Sequence, residues 1–271
     1  MISISNIAWD VSLDEQVAEL LDTHGVRKID IAPPKYFSDP SQTSQDEIFK
    51  VKEFWSAKGI TPIGMQSLLF GTKGLNVFGP ADIQQKLLTH LSHICRIGAL
   101  LGAKNLVFGS PRNRDRSHLS DQETDLQAIQ FFRRLGDIAE EHDVTLCLEP
   151  NPVCYQANFM TNSLETVEVV RKINHNHIGM QLDIGAMQIN DETVDKTIAE
   201  IAPWVKHIHI SEPQLVPLNI NNDFHRDAAK AIHHYLPNMP MTIEMLTTNP
   251  TTSLAEIEQS IQVMQQVYLG H

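Results

Sequence analysis

Four short apolar runs in this sequence each end on a side chain that can bind a metal: Thr145-Leu146-Cys147-Leu148-Glu149, Gln181-Leu182-Asp183, His207-Ile208-His209 and Thr242-Ile243-Glu244. Three carboxylates and one imidazole form a hard-to-borderline donor set, suited first to Mn²⁺ or Mg²⁺ and then to Co²⁺ or Zn²⁺. Gathered at one point without a cation, the carboxylates would repel and raise one another's pKa; a divalent ion removes that cost. Four protein ligands leave an octahedral ion two positions, which adjacent hydroxyl and carbonyl oxygens of a sugar would fill. A lone carboxylate at a strand end serves equally well as the N-cap of the next helix or as an ion-pair partner. The functional reading therefore rests on the four occurring together.

Bringing them together requires strands whose tips converge. Apolar β-like runs at residues 2–9, 28–32, 105–108, 145–148, 178–183, 205–210 and 241–245 are joined by another that opens residues 60–70. Between them lie helical patterns. The first runs from Ser12 through Leu21, and the others cover residues 46–58, 80–101, 121–142, 163–173, about 193–201, about 225–235, and Thr252 through Val267. Eight short, nearly all-apolar strands alternating with eight helices call for a parallel sheet covered by helices, and at 271 residues for a closed (β/α)₈ barrel. The whole chain, 1–271, then forms one domain. No Gly-x-Gly-x-x-Gly follows the first strand, which counts against dinucleotide binding. In such a barrel the C-terminal strand ends form the functional face, and Glu149, Asp183, His209 and Glu244 all fall there, on strands five to eight. Neighbouring barrel strands lie ~4.8 Å apart, so four consecutive tips can address one cation.

Composition bounds the partners. A net charge of −12 with no basic run longer than Arg133-Arg134 excludes a nucleic-acid partner and favours a small-molecule substrate. The N-terminus lacks a signal-peptide pattern and no eighteen apolar residues run together, so a soluble, cytoplasmic protein with no membrane partner is expected. Cys95, Cys147 and Cys154 have no paired spacing, consistent with reduced thiols.

At Leu148-Glu149-Pro150, Leu182-Asp183-Ile184-Gly185, His207-Ile208-His209-Ile210-Ser211-Glu212 and Ile243-Glu244 the chain resembles the xylose isomerase-like TIM barrels, the sugar phosphate isomerase/epimerase superfamily that includes ketose 3-epimerases and hydroxypyruvate isomerases. The resemblance implies a divalent-metal-dependent isomerase or epimerase of a small sugar, sugar phosphate or related keto/hydroxy compound. Glu149 and Glu244, on opposite faces of the substrate, would remove and return a carbon-bound proton through a cis-enediolate. A homodimer fits the same resemblance. The chain departs from the family's ketose epimerases at three points. Ala186 stands where they carry a His three residues after the strand-six Asp, Tyr155 stands where they carry a second Glu, and no Arg precedes Arg226 in the loop after strand seven.

Candidate substrate contacts are Trp9, Gln66 and Phe70 as an apolar wall, Arg112 and Arg114 as anion grips, and Tyr155 as a hydroxyl partner. His207, one alternation from His209, is a support for the site, Glu212 lies in the strand-seven motif, and His225 resembles a His that some members place near the metal. His90 and His93 lie on a helix outside the barrel. A dehydratase of the inosose or dehydroshikimate type shares this chemistry, since an enediolate with a leaving group on the next carbon eliminates water. A catalytically lapsed binding barrel is the other alternative. The apurinic endonuclease arm of the superfamily needs many more metal ligands and a basic surface, neither of which is present.

Overall fold

The computed structural model describes residues 1–270. Its strands are β1 (Ile2–Ser5), β2 (Lys28–Ile31), β3 (Thr61–Met65), β4 (Asn105–Phe108), β5 (Thr145–Leu148), β6 (Ile178–Asp183), β7 (Val205–Ile210) and β8 (Met241–Ile243). They pair in parallel, in sequence order, and β8 closes on β1 through Ile2 beside Met241 and Ile4 beside Ile243. The expected (β/α)₈ barrel is thus observed.

Helices α1 (Asp14–Thr23), α2 (Gln45–Ala57), α3 (Ala81–Leu101), α4 (Asp121–Glu141), α5 (Ser163–Ile173), α6 (Ile184–Ile189), α7 (Val194–Ile201), α8 (Asp223–Tyr235) and α9 (Ser253–Met264) connect them. Local chemistry sets many of the boundaries. Ser44 with Glu47, and Ser120 with Glu123, close reciprocal capping boxes at the starts of α2 and α4. The cap of α5 is Asn162, one residue before the expected start, because its side-chain oxygen reaches the Glu165 amide at 2.9 Å.

Three differences from the sequence reading stand out, two of them with a plain physical cause. The first strand stops at Ser5 rather than Trp9, because the Ser5 side chain caps a 3₁₀ turn over Asn6–Ala8. The strand opening residues 60–70 ends at Met65. The segment between Asp183 and residue 193, where the sequence shows no helical pattern, contains α6, a ninth α-helix among the described residues, too short to show a helical period. Its cap is Asp183 itself, whose Oδ1 accepts from the Ala186 amide at 2.7 Å.

Along the strands, period two separates two environments. Ile4, Leu182, Ile208 and Ile243 belong to the hydrophobic core. The alternate positions, Ser3 and Ser5, Gln181 and Asp183, His207 and His209, Thr242 and Glu244, are polar and buried. The barrel lumen is therefore lined with hydrogen-bonding groups rather than the bulky branched side chains typical of this architecture. No helix among the described residues is long and apolar enough to cross a membrane.

Candidate active site

The four strand-tip residues meet. Glu149, Asp183, His209 and Glu244 each place a potential ligand atom within 4.8 Å of the others, and all four are buried. Backbone pairing holds them there. Asp183 lies directly beside His209 in the β6/β7 register. Glu149 and Glu244 each stand one residue past their strand, yet the Glu149 amide still donates to Phe108 O (3.2 Å) and the Glu244 amide to Ile210 O (3.0 Å). His209 Nδ1 faces Glu149 Oε1 at 3.4 Å and Glu244 Oε2 at 3.2 Å.

Further groups orient these carboxylates. Gln66 Nε2 donates to Glu244 Oε1 at 2.6 Å, Asn151 Nδ2 to Glu149 Oε2 at 3.3 Å, and Ser211 Oγ to Asp183 Oδ1 at 2.9 Å. Gly109 leaves room for the Glu149 carboxylate in this position, since a Cβ there would fall 1.8 Å from Glu149 Oε2 and displace it. Neither Asn151 nor Ser211 stands out in the sequence. The one signal each carries is its spacing, two residues beyond Glu149 and His209 respectively.

The electrostatics are those of charges that need a partner. Burial, and then the negative charges of Glu244 and Glu149, push the Asp183 carboxyl far above the usual carboxylate range. Burial acts the same way on Glu244, but the adjacent His209 outweighs it and holds that carboxyl low. Burial alone would lower the His209 imidazolium; Glu244, Asp30 and Glu149 overcome this and raise it well above its ordinary value. Glu149 Oε1 is a buried carboxylate oxygen with no hydrogen-bond partner. An orphaned oxygen beside two more carboxylates and an imidazole nitrogen is the donor set of a divalent cation, and the residues present fit one.

The three carboxylates line a cavity of about 580 Å³, within the range of small-molecule sites, with His209 buried behind them and an adjoining pocket of about 230 Å³ toward Gln66 and Phe70. Tyr155, Arg112, Ala186 and Glu212 line the main cavity. Arg112 is exposed, whereas Phe70 projects into solvent at 77% exposure on the adjoining wall. The Tyr155 hydroxyl accepts from the Gln214 amide at 2.9 Å, bridging the loops after β5 and β7. Glu212 holds its own loop: Oε1 accepts from the Asn219 amide (2.9 Å) and Oε2 from Asn222 Nδ2 (2.7 Å).

Other candidates are placed elsewhere. Trp9 is buried, donates to Asp14 Oδ1 at 2.8 Å and packs edge-on to Trp55, away from the cavity lining. His225 lies buried between Glu212 (3.1 Å) and the Tyr268 hydroxyl (2.7 Å). His90 is half-buried against the Leu68 carbonyl at 2.9 Å, with His93 half-buried one turn on. Arg226 pairs with Asp223 at the surface. Cys95 and Cys147 are buried and Cys154 exposed, all three as free thiols.

Arg114 and Arg112 leave the same loop with opposite fates. Arg114 is 1% exposed, and its guanidinium donates to Glu149 O (2.8 Å) and to Asn151 Oδ1 (2.5 Å). Burial lowers its pKa to about 10, still charged at neutral pH. It clamps the backbone that carries Glu149. Arg114→Ala is expected to cost about 2–3 kcal/mol, because a buried and a half-buried acceptor lose their donor and a void is left. The urea midpoint measures this, and an unchanged midpoint would refute the clamp.

The chain matches the Xylose isomerase-like TIM barrel family over residues 17–267. It belongs to that family. Among curated proteins it is 24% identical over 192 residues to the probable L-ribulose-5-phosphate 3-epimerase UlaE of Mycoplasma pneumoniae, a match taking in 67% of this chain but only 61% of that relative. Solved structures with the same barrel include D-psicose 3-epimerase from Clostridium cellulolyticum H10 with D-tagatose (TM-score 0.81, 16% identity, 98% of each chain). Another is the 3-keto-D-glucoside 4-epimerase YcjR of E. coli (TM-score 0.75, 13% identity, 96% of this chain and 98% of that one). At such identities the structural likeness speaks for the fold alone.

Proposed function

We propose that this family member is a divalent-metal-dependent isomerase or epimerase acting on a small sugar, sugar phosphate or related hydroxy-ketone. The observation that carries the reading is the cluster of Glu149, Asp183, His209 and Glu244, buried and mutually within 4.8 Å, whose three carboxylates open onto one cavity. The chemistry of the matched relative, a probable pentulose-phosphate 3-epimerase, agrees with it.

Glu149, Asp183, His209 and Glu244 would hold the cation, with Mn²⁺ or Mg²⁺ best matched to three oxygens and one nitrogen. Bound there, a cation would supply positive charge that steadies the negative charge developing on the substrate's oxygens. The chain's own groups do the rest. One of Glu149 and Glu244 takes the proton from the carbon next to the carbonyl, and the electron pair of that C–H bond moves into an enediolate. The other returns a proton to the same carbon from the opposite face, giving the epimer; return to the neighbouring carbon, with the hydroxyl proton passing between the two adjacent oxygens, gives the isomer. Arg112, exposed on the cavity lining, is a cation that could meet a phosphate on the substrate.

Incubation with Mn²⁺ and a panel of ketoses and ketose phosphates in deuterated water tests this. Wash-in of one deuteron with a change of configuration or carbonyl position is expected. Loss of water from the product would assign the dehydratase alternative instead. No exchange into any substrate, with metal bound, would leave the barrel as a binding protein.

A further inference from the structure

Behind His209, away from the cavity, lies a buried carboxylate outside the four-residue cluster. Asp30, on β2, is 0% exposed and reaches across the lumen to β7, a strand it does not pair with. Its Oδ2 sits 2.5 Å from His207 Nε2 and 3.4 Å from His209 Nε2. Neighbouring ligands of one ion, ~2.0 Å from it and ~90° apart, stand roughly 2.8 Å from each other, so the 2.5 Å contact is that of a hydrogen bond and the trio is read as a hydrogen-bonded unit. The fold makes space for it: a Cβ at Gly64 would fall 2.6 Å from Asp30 Oδ1.

The two nitrogens of His209 thus face different partners. Nδ1 looks at Glu149 and Glu244 and at the Gln181 amide, whose oxygen, in the orientation that satisfies that amide, lies 3.0 Å away and competes for the imidazole proton; Nε2 finds no fully aligned hydrogen bond, and the carboxylate it faces is Asp30. A neutral imidazole carries one proton, and it binds a cation only through the nitrogen that lacks it. We propose that Asp30, anchored by His207, is a positioning residue that keeps the His209 proton on Nε2 and so presents the Nδ1 lone pair to the cation. This rests on the metal reading of the site. The charge of Asp30 also makes His209 a better donor, and orienting partners of this kind change metal affinity by about 10–100-fold.

The test compares Mn²⁺ binding, read from the free-ion signal in electron paramagnetic resonance, in wild type, Asp30→Asn and His207→Gln, with melting of the chelator-treated proteins as a control for folding. Asp30→Asn is expected to weaken binding about 10–100-fold. His207→Gln leaves the carboxylate in place but loosens its anchor, and is expected to weaken binding less. In Zn²⁺-loaded wild type, long-range ¹H–¹⁵N spectra should show His209 metal-bound at Nδ1 and protonated at Nε2. Wild-type affinity in Asp30→Asn would overturn the proposal, as would ligation of wild-type His209 through Nε2, whether or not the variants fold. A wild-type protein that takes up neither ion would instead bring down the metal reading, and this proposal with it.

Discussion

Glu244→Gln and Glu149→Gln will each lower turnover by about 10²–10⁴-fold, the usual loss when a positioned acid/base group can no longer carry a proton. Both amides keep the shape of the side chain, so the fold should persist. In Glu244→Gln the contact with Gln66, now 2.6 Å from Oε1, sets the amide orientation, because the Gln66 nitrogen donates and demands an oxygen opposite. The new NH₂ is then directed to where Oε2 met His209 Nδ1 at 3.2 Å. Glu149→Gln meets a different constraint, since Oε2 accepts from Asn151 while Oε1 is unpartnered. The NH₂ is expected at the Oε1 position, facing the other site groups. Deuterium wash-in with the best substrate from the panel measures the loss, and manganese titration of the same variants separates failed proton transfer from failed metal binding. Either variant retaining turnover within about threefold of wild type would remove the acid/base assignment.

Chelator-treated protein will lose stability as pH rises from about 5 toward 8, and a divalent cation will restore it. The sign follows from Asp183. Burial together with Glu244 and Glu149 raises its carboxyl from 3.8 to about 8 in the folded chain. A group with a raised folded pKa stabilises fully below its unfolded value, and that contribution is lost as pH climbs through the folded one. His209, raised well above 6.5, acts in the same direction, while Glu244, held low, contributes a loss only below about pH 4.5. Between pH 5 and 8 the first two therefore govern. A cation bound by the four groups stands in for the protons and reverses the trend. At a thousandfold excess over its Kd it adds about 4 kcal/mol, or roughly 8–16 °C in Tm for a chain of this size. Thermal melts at pH 5, 6.5 and 8, with EDTA and with Mn²⁺, check both halves. A flat profile under EDTA, or no gain from Mn²⁺ at any pH, would contradict the electrostatic account of the cluster.

The four central residues are legible in the sequence because each lies at the end of a short apolar run, a local signal that period and composition expose. Leu148-Glu149, Leu182-Asp183, Ile208-His209 and Ile243-Glu244 repeat one pattern, and alternation of such runs with helices leaves a parallel barrel as the natural frame. Asp183 shows that two local readings need not compete. It caps α6 through Oδ1 and still belongs to the cluster, because a carboxylate has two oxygens and more than two acceptor directions.

Other assignments depend on distances that a linear pattern does not contain. Arg112 and Arg114 are indistinguishable in sequence, yet a 3₁₀ turn over Pro111–Arg114 sends one to solvent and buries the other beneath the Glu149 backbone. Trp9, near the end of the first strand run, is expected from its position to wall the substrate pocket; the early turn after Ser5 delivers it to Asp14 and Trp55 instead. Asp30 reads in Lys28-Ile29-Asp30-Ile31 as an ordinary polar position in an alternating strand. Only closure of β8 onto β1 makes the inner face of β2 look across at His207 and His209, with His207 lying 177 residues further along. Apolar period and strand-end chemistry are properties of neighbours in the chain, so the sequence alone determined the barrel and the four residues at its mouth. Which polar side chains oppose one another across the lumen is set by strand stagger and closure, and that belongs to the tertiary structure.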